Sequence, residues 1–255
     1  MNDAQRDRWN GDSGHRWVAE RRRHAGVRQN LMPHLWAAAD IKPGERVLDV
    51  GCGCGENAAE AARRGAIVTG IDFSEPMLAA ARDLTSEVTF VLGDAQTYPL
   101  KDFDLIVSTF GVMFFDDPVA AFANLRSGLR PGGRLAFLCW QPQSRNEVFS
   151  IMMRAFDAPI DDSADPFANP EWVSDLLAGT GFRGITMVPL AEPARIGTDV
   201  ADLLEYQSGA PLVRNFEGPR EPGFAAMAAE YGARQRPDGV WVTASAWLVT
   251  ASTAG

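Results

Sequence analysis

Arg46-Val47-Leu48-Asp49-Val50-Gly51-Cys52-Gly53-Cys54-Gly55-Glu56 is the stretch that decides how this chain folds. Its first five residues read as a short buried strand that runs straight into three glycines at alternate positions. A helical pattern follows from Glu56 to Arg64, and Gly65 stops it. The first glycine lets the chain turn tightly. The other two remove side chains, so a ligand can lie against bare backbone. The helix that follows offers free N–H groups and a partial positive charge, which suits a carboxylate or a phosphate.

Working outward, the same rhythm repeats. Ala66 to Ile71 reads as a strand, and Ser74 as an N-cap with Pro76 in the first turn of a helix reaching Leu84. Val88 to Leu92 and Phe103 to Thr109 read as further strands. A helix opens at Asp116 or Asp117 with Pro118, Arg130-Pro131-Gly132-Gly133 turns, and Arg134 to Trp140 is a strand. Strands and helices alternate five times in about 95 residues, which predicts an α/β fold: a doubly wound, mainly parallel sheet with helices on both faces.

The flanks differ. Residues 2–38 read as an amphipathic helical segment, with Trp9, Trp17, Val27, Leu31 and Leu35 at roughly helical spacing and breaks expected at Gly11 and Gly14. After Trp140 the pattern becomes irregular. Helical pieces are expected over 148–156, 170–179 and, as two helices broken at Gly218-Pro219, over 199–236; strands are expected over 185–190 and 240–250. The chain thus divides into an N-terminal helical lid (1–40), a ligand-binding core (41–140) and a remainder (141–255) that completes the sheet and adds a helical cap, all within one domain.

Composition bounds the function. An apolar fraction of 46% over 255 residues supports a sizeable core, and a net charge of -9 disfavours a broad grip on nucleic acid. Residues 1–34 run against that balance, with seven Arg against three Asp and one Glu. The Arg21-Arg22-Arg23 run reads as a solvated helix face, with a phosphate-bearing or acidic partner as the alternative. Three cysteines, Cys52, Cys54 and Cys139, argue against a disulfide framework and fit a reducing compartment. No second Cys or His pair stands at ligand spacing, so no metal site is expected. The polar N-terminus and short apolar runs predict a cytoplasmic protein without membrane insertion.

Three acids sharpen the glycine loop. A dinucleotide fingerprint needs glycine at 51, 53 and 56, and position 56 is Glu, which would repel a pyrophosphate. Asp49, two residues before the first glycine, suits a ligand with a cationic amino group. Asp72 ends the second strand, where a carboxylate can accept from both ribose hydroxyls. Asp94 follows the third strand at the same edge and suits an exocyclic amine. Ligands in open α/β sheets bind outside the carboxyl ends of the strands, and all three acids stand at such ends.

These residues resemble the class I S-adenosylmethionine-dependent methyltransferases, in the small-molecule branch related to ubiquinone/menaquinone biosynthesis. Val47 to Gly55 resembles the family's first motif, Asp72 its ribose-binding acid, and Asp94-Ala95 its adenine-binding pair. Phe103 to Thr109 is similar to the fourth-strand motif, and Leu129 to Leu135 to the turn before the fifth strand. Trp9-Asn10-Gly11 is similar to a segment that closes over the cofactor, and Ala246 to Thr250 to the last strand. The resemblance implies a Rossmann-like seven-stranded sheet with an antiparallel last strand and helical cap insertions. It implies S-adenosylmethionine as cofactor, with S-adenosylhomocysteine as product. Gly51, Cys52 and Gly53 would line the methionine part, Asp49 would favour its amino group, and Trp9 would close over it. Asp72 would take the ribose, Phe73 and Met77 would pack near the adenine, and Asp94 would meet the adenine amine with Ala95 and Gln96 beside it. Ser108, Thr109 and Phe110 would border the methionine side.

The sulfonium methyl is already activated, so in-line displacement needs mainly alignment of an acceptor. No base stands in Gly111-Val112-Met113-Phe114-Phe115, where some relatives carry a His pair. If the N-terminal segment closes over the site, His15 and His24 are the candidate catalytic groups; a solvent-facing or packed histidine is the alternative for each. The acceptor is expected to be a small, partly apolar metabolite or natural product between the N-terminal helix and the cap. The aromatics Trp17, Phe149, Phe156, Phe167, Trp172, Tyr206 and Phe216 suggest such a place. A monomer or homodimer is expected. The alternatives are a repurposed cofactor-binding member without methyl transfer, such as a cyclase or partner protein, and a nicotinamide-dependent oxidoreductase.

Overall fold

The computed structural model describes residues 2–255; Met1, the first residue of the expected lid, lies outside the described residues. Four short helices come first: α1 (Asp3–Asn10), α2 (Asp12–Ala19), α3 (Arg21–Arg28) and α4 (Met32–Ala39). Then β1 (Arg46–Val50), α5 (Glu56–Arg63), β2 (Ile67–Asp72), α6 (Glu75–Leu84), β3 (Thr89–Leu92), β4 (Phe103–Thr109), α7 (Pro118–Gly128) and β5 (Leu129–Trp140) alternate. The remainder holds α8 (Glu147–Ala155), α9 (Pro170–Gly179), β6 (Arg183–Gly197), α10 (Val200–Ser208), α11 (Pro211–Arg214), α12 (Glu221–Gly232), β7 (Gln235–Arg236) and β8 (Gly239–Ser252).

The sheet runs β3-β2-β1-β4-β5-β8-β6, and the two-residue β7 pairs with β8 beyond this path. The first five strands are mutually parallel, and β8 is antiparallel to both neighbours. The order reverses at β1 and β4. That reversal opens a crevice at their carboxyl ends, where the glycine loop sits. Both faces are covered, as a parallel sheet requires. Val47, Leu105 and Val107 pack with Leu31, Leu35 and Ala58, while Leu48 and Ile106 pack with Phe122, Phe137 and Leu177.

Several boundaries depart from expectation for physical reasons. β5 starts at Leu129, because the Arg130-Pro131-Gly132-Gly133 segment bulges between the pairs Phe103–Leu129 and Leu105–Arg134 without ending the strand. The chain end holds it there: Thr253 N–H donates to Gly133 and Gly132 N–H to Ala254. β6 is far longer than the expected 185–190 and contains Pro189 and Pro193. It is an edge strand, where a missing N–H costs no ladder bond. Residues 199–236 form three helices rather than two, since Pro211 opens a short one.

The N-terminal segment breaks at Gly11 as expected, but Gly14 is a packing point inside α2. A Cβ on Gly14 would sit 1.9 Å from the Trp9 carbonyl oxygen and 3.2 Å from Ser74 Oγ. Ser74 in turn does not cap α6 with its hydroxyl. Its Oγ donates to the Trp9 carbonyl, and Asn10 Oδ1 accepts from Glu75 N–H at the helix start. α1 thereby caps α6 from outside, and the N-terminal segment is tied to the loop after β2.

Candidate active site

A cleft opens at the carboxyl ends of β1, β2 and β4. Its floor is the glycine turn. Gly51, Gly53 and Gly55 all have positive φ, at 65°, 54° and 83°. A Cβ on Gly51 would meet Gly111 Cα at 2.8 Å, so the turn packs backbone to backbone against the loop after β4.

That loop is itself fixed. Phe110 holds φ 63°, an uncommon conformation for a side chain of this size, and its ring stacks on Trp140 at 3.8 Å. Ser108 Oγ donates to the Val50 carbonyl, and Asn57 Nδ2 donates to Thr109 Oγ1. The wall beside the glycine turn is thus held by packing and by hydrogen bonds from two neighbouring elements.

The three acids differ in surroundings. Asp72 accepts Gly53 N–H on one carboxylate oxygen and Ser74 N–H on the other, both at 2.9 Å. Burial raises its pKa, and these bonds pull against that rise. Asp49 is 1% exposed, and its Oδ2 has no hydrogen-bond partner among the described residues. Burial, with the nearby Asp72 charge second, pushes its pKa up to about 8. Asp94 accepts from Asn2 Nδ2 on both oxygens, at 3.0 Å each, and from Gln96 N–H. The thiols are passive: burial raises both Cys52 and Cys54, Cys54 to about 12, so neither supplies a thiolate.

Of the residues singled out in the sequence, Trp9, Gly51, Cys52, Gly53, Asp72, Phe73, Met77, Asp94, Ala95, Thr109 and Phe110 line the cleft. Asp49 lies beneath the floor. Gln96 does not line it, because its Oε1 accepts from Asp117 N–H at the start of α7. His15 is exposed on α2 and away from the cleft. His24 stacks on Trp17 at 3.8 Å, also outside the lining. Burial, then Arg28, Arg23 and Arg16, push its pKa down to about 3, so it is a neutral imidazole and a poor proton acceptor. Neither histidine lines the cleft.

The aromatic expectation also changes. Of the seven aromatics named for the acceptor, Trp17 alone lines the cleft. Phe149 packs on Trp140, Phe156 on Phe216 and Phe224, and Phe167 on Trp172 and Phe122. The Arg16 and Arg23 guanidinium groups both lie over the Tyr206 ring, at 4.5 and 4.4 Å. The aromatic wall of the cleft comes instead from Trp9, Trp17, Phe73, Phe110, Phe114 and Phe115.

The structure adds Arg28, Glu56 and Asn57 to the lining and Asn2 behind Asp94. Arg28 had a signal in the sequence: Trp17, Arg21, His24 and Arg28 recur at helical spacing, which puts an arginine on an aromatic face. Asn2 had none, because its partner is 92 residues away.

Comparison with known proteins agrees with this geometry. Residues 48–137 match the methyltransferase domain family. A demethylmenaquinone methyltransferase from Beutenbergia cavernae is 30% identical over 182 residues, which cover 60% of this chain and 74% of that one. The chain belongs to the class I S-adenosylmethionine-dependent methyltransferases. A second demethylmenaquinone methyltransferase, from Corynebacterium kroppenstedtii, is 40% identical over 108 residues, covering 40% of this chain and 46% of that one. The match therefore takes in about half the length of some relatives of this methyltransferase. Among solved structures, Haemonchus contortus phosphoethanolamine N-methyltransferase 2 in complex with S-adenosyl-L-methionine aligns with a TM-score of 0.56 at 21% identity, over 89% of this chain and 53% of that one. The [4+2]-cyclase SpnF aligns with a TM-score of 0.52 at 23% identity, over 89% and 82%. These two likenesses speak to the fold of the methyltransferase. Among its described residues, no helix is long and apolar enough to cross a membrane.

Proposed function

We propose that this methyltransferase holds S-adenosylmethionine in the cleft and methylates a small, partly apolar acceptor by alignment. The observation that carries the proposal is the unpartnered, buried Oδ2 of Asp49 beneath a turn of three positive-φ glycines. A buried polar atom without a partner is costly, and a cationic amino group satisfies it. A pyrophosphate would be repelled there by Asp49 and by Glu56, which lines the cleft. The residues therefore fit an amino-acid-bearing nucleoside.

In this assignment Gly51, Cys52 and Gly53 bound the methionine portion, and Asp72, held in place by Gly53 and Ser74, accepts from the ribose hydroxyls. Phe73, Met77 and Ala95 enclose the adenine, and Asp94 lies at its amine edge, oriented by Asn2. When bound, the sulfonium supplies an activated methyl group. Thr109 and Phe110 form the rigid wall on that side, and Trp9, Trp17 and Phe114 exclude water. With neither histidine available, positioning supplies the rate, and alignment of reactants provides at best roughly 7–11 kcal/mol. An acceptor that ionises readily, or one that reacts at carbon or nitrogen, suits such a wall. The demethylmenaquinone methyltransferase relatives support an aromatic acceptor.

The test is calorimetry with S-adenosylhomocysteine. Asp72→Ala is expected to weaken binding at least tenfold, about 1.4 kcal/mol. Unchanged affinity would show that the ribose lies elsewhere. A labelled-methyl assay over phenolic, quinol and amine acceptors then separates transfer from mere binding.

A further inference from the structure

The sheet ends in two edges, β3 and β6, and they are finished differently. On β6 the Pro193 carbonyl accepts from Asn30 Nδ2, off the sheet, so position 193 faces outward, and Pro189, four residues away, faces the same way. Neither proline has an N–H to offer, and that edge is closed to a further strand. β3 carries no such device. Thr89-Phe90-Val91-Leu92 holds no proline and no charge, and Leu92 is 52% exposed. The next residue shows which of its backbone groups are free. Gly93 N–H donates to the Asp72 carbonyl on β2, so positions 91 and 93 turn their polar groups inward, and Phe90 and Leu92 turn theirs outward. Among the described residues no strand pairs with that outer side. Beside this edge α6 packs on β3 and β2. It carries Glu75 in its first turn and Arg82 in its last, with side chains 58% and 45% exposed.

We propose that β3 is the interface of a homodimer, in which two copies of the chain join edge to edge about a two-fold axis through Val91. The pleat dictates the register. A two-fold axis normal to the sheet runs the two β3 strands antiparallel and keeps α6 on the same face in both copies. Side chains directly opposite each other must share a face. That allows Phe90 opposite Leu92 of the partner subunit, with Val91 on the axis, and it excludes a slip by one residue. In this register the outward groups of Phe90 meet those of the partner's Leu92, and each such pair exchanges two N–H···O bonds. The exposed Leu92 side chain comes to lie beside the partner's Phe90. The same operation lays the two α6 helices side by side and antiparallel. Glu75 at the start of one helix then faces Arg82 at the end of the other, on both sides of the axis. The edge is thus complementary to itself in hydrogen bonding and in charge, which is what an isologous contact requires. None of this rests on what the cleft binds.

The experiment is sedimentation velocity on the full chain, with the variants Leu92→Lys, Glu75→Arg and Arg82→Glu. A four-residue strand and one helix face make a small interface, so concentrations of about 1–200 µM should span a wild-type dissociation constant on the order of 10 µM. Leu92→Lys sets a charge against the partner's Phe90 and should weaken the dimer roughly a hundredfold. Each α6 variant sets like charges against each other and should weaken it about tenfold. Mixed in equal amounts, Glu75→Arg and Arg82→Glu should dimerise again, because position 75 of each copy then faces an opposite charge at 82 of the other. Mixing does not restore the Glu75–Arg82 pair within one chain, 3.4 Å apart, so recovery reports contact between copies. Thermal melts at about 1 µM, where all forms are monomeric, should agree within about 2 °C and show that the variants fold. Hydrogen exchange should slow with concentration at the Phe90 and Leu92 amides and stay unchanged at Val91. A wild type that remains monomeric at the highest concentration overturns the proposal, and so does a Leu92→Lys variant that dimerises like the wild type. Phe90 and Leu92 amides that exchange alike at all concentrations place any dimer on another surface. A mixture that stays monomeric overturns the register.

Discussion

Asp49 is the residue where sequence, burial and proposed function meet most closely. Its carboxyl is pushed from an ordinary 3.8 up to about 8, by burial first and by the Asp72 charge second. A raised carboxyl favours the folded state while it is protonated. In the cofactor-free protein its contribution is complete below about pH 4 and fades as pH rises through 8. Ligand binding runs the other way, because an ammonium group needs the ionised carboxylate. Affinity for S-adenosylhomocysteine should therefore rise between pH 6 and 8, by up to about tenfold per unit, and level off above 8. Asp49→Asn should remove most of that slope. Calorimetry at four pH values decides the matter, and a flat wild-type profile would show that Asp49 does not face the ammonium. Of this chemistry the sequence displays only the position, an acid two residues before the first glycine. The missing partner on Oδ2 depends on how β2 and β4 close around β1, which no local pattern records.

At the scale of elements, the N-terminal helices are the part least legible from periodicity. Gly14 looks like a helix weakener, yet its missing side chain lets α2 approach Trp9 and Ser74. Ser74 looks like a local cap, yet it bonds Trp9, and Asn10 takes over the helix start. Both residues answer to partners more than 60 positions away in one case and to close backbone approach in the other. The fastening to α10 is of the same kind. Arg23 holds the Asp202 carboxyl down at about 2, so the pair is intact above about pH 4 and is lost only as pH falls through 2. Lid opening should accordingly be insensitive to pH from 5 to 8. Asp202→Asn combined with Tyr206→Leu should release that end, speeding S-adenosylhomocysteine dissociation about tenfold in stopped flow. Glycine loop contacts stay in place, so the association rate should change far less. Unchanged dissociation would mean that the cleft, not the fastening, retains the ligand.

Across the whole molecule, stability and site are separated by the direction of the strands. The alternating pattern from Arg46 to Trp140 makes the parallel core legible, because each buried strand and each helix stop is written locally. β8 is different: it is a late strand inserted between β5 and β6, and only its pairing on both sides fixes its place. The cleft uses strand ends and the loops beyond them, while most of the buried apolar area lies on the two faces of the sheet. Leu177 on α9 shows the consequence. It is 0% exposed, packs in the cluster with Phe137 and Phe122, and has no part in the cleft lining. Leu177→Ala leaves a cavity and should cost about 2–5 kcal/mol. For a chain of this length each kcal/mol lowers the melting temperature by roughly 2–4 °C, so a fall of about 5–15 °C is expected. Because the strand ends stay paired, affinity for S-adenosylhomocysteine at 15 °C should remain within about twofold of the wild type. Thermal melts and calorimetry on the same sample read both quantities. A loss of affinity matching the loss of stability would show that the face under α9 and the cleft form one cooperative unit.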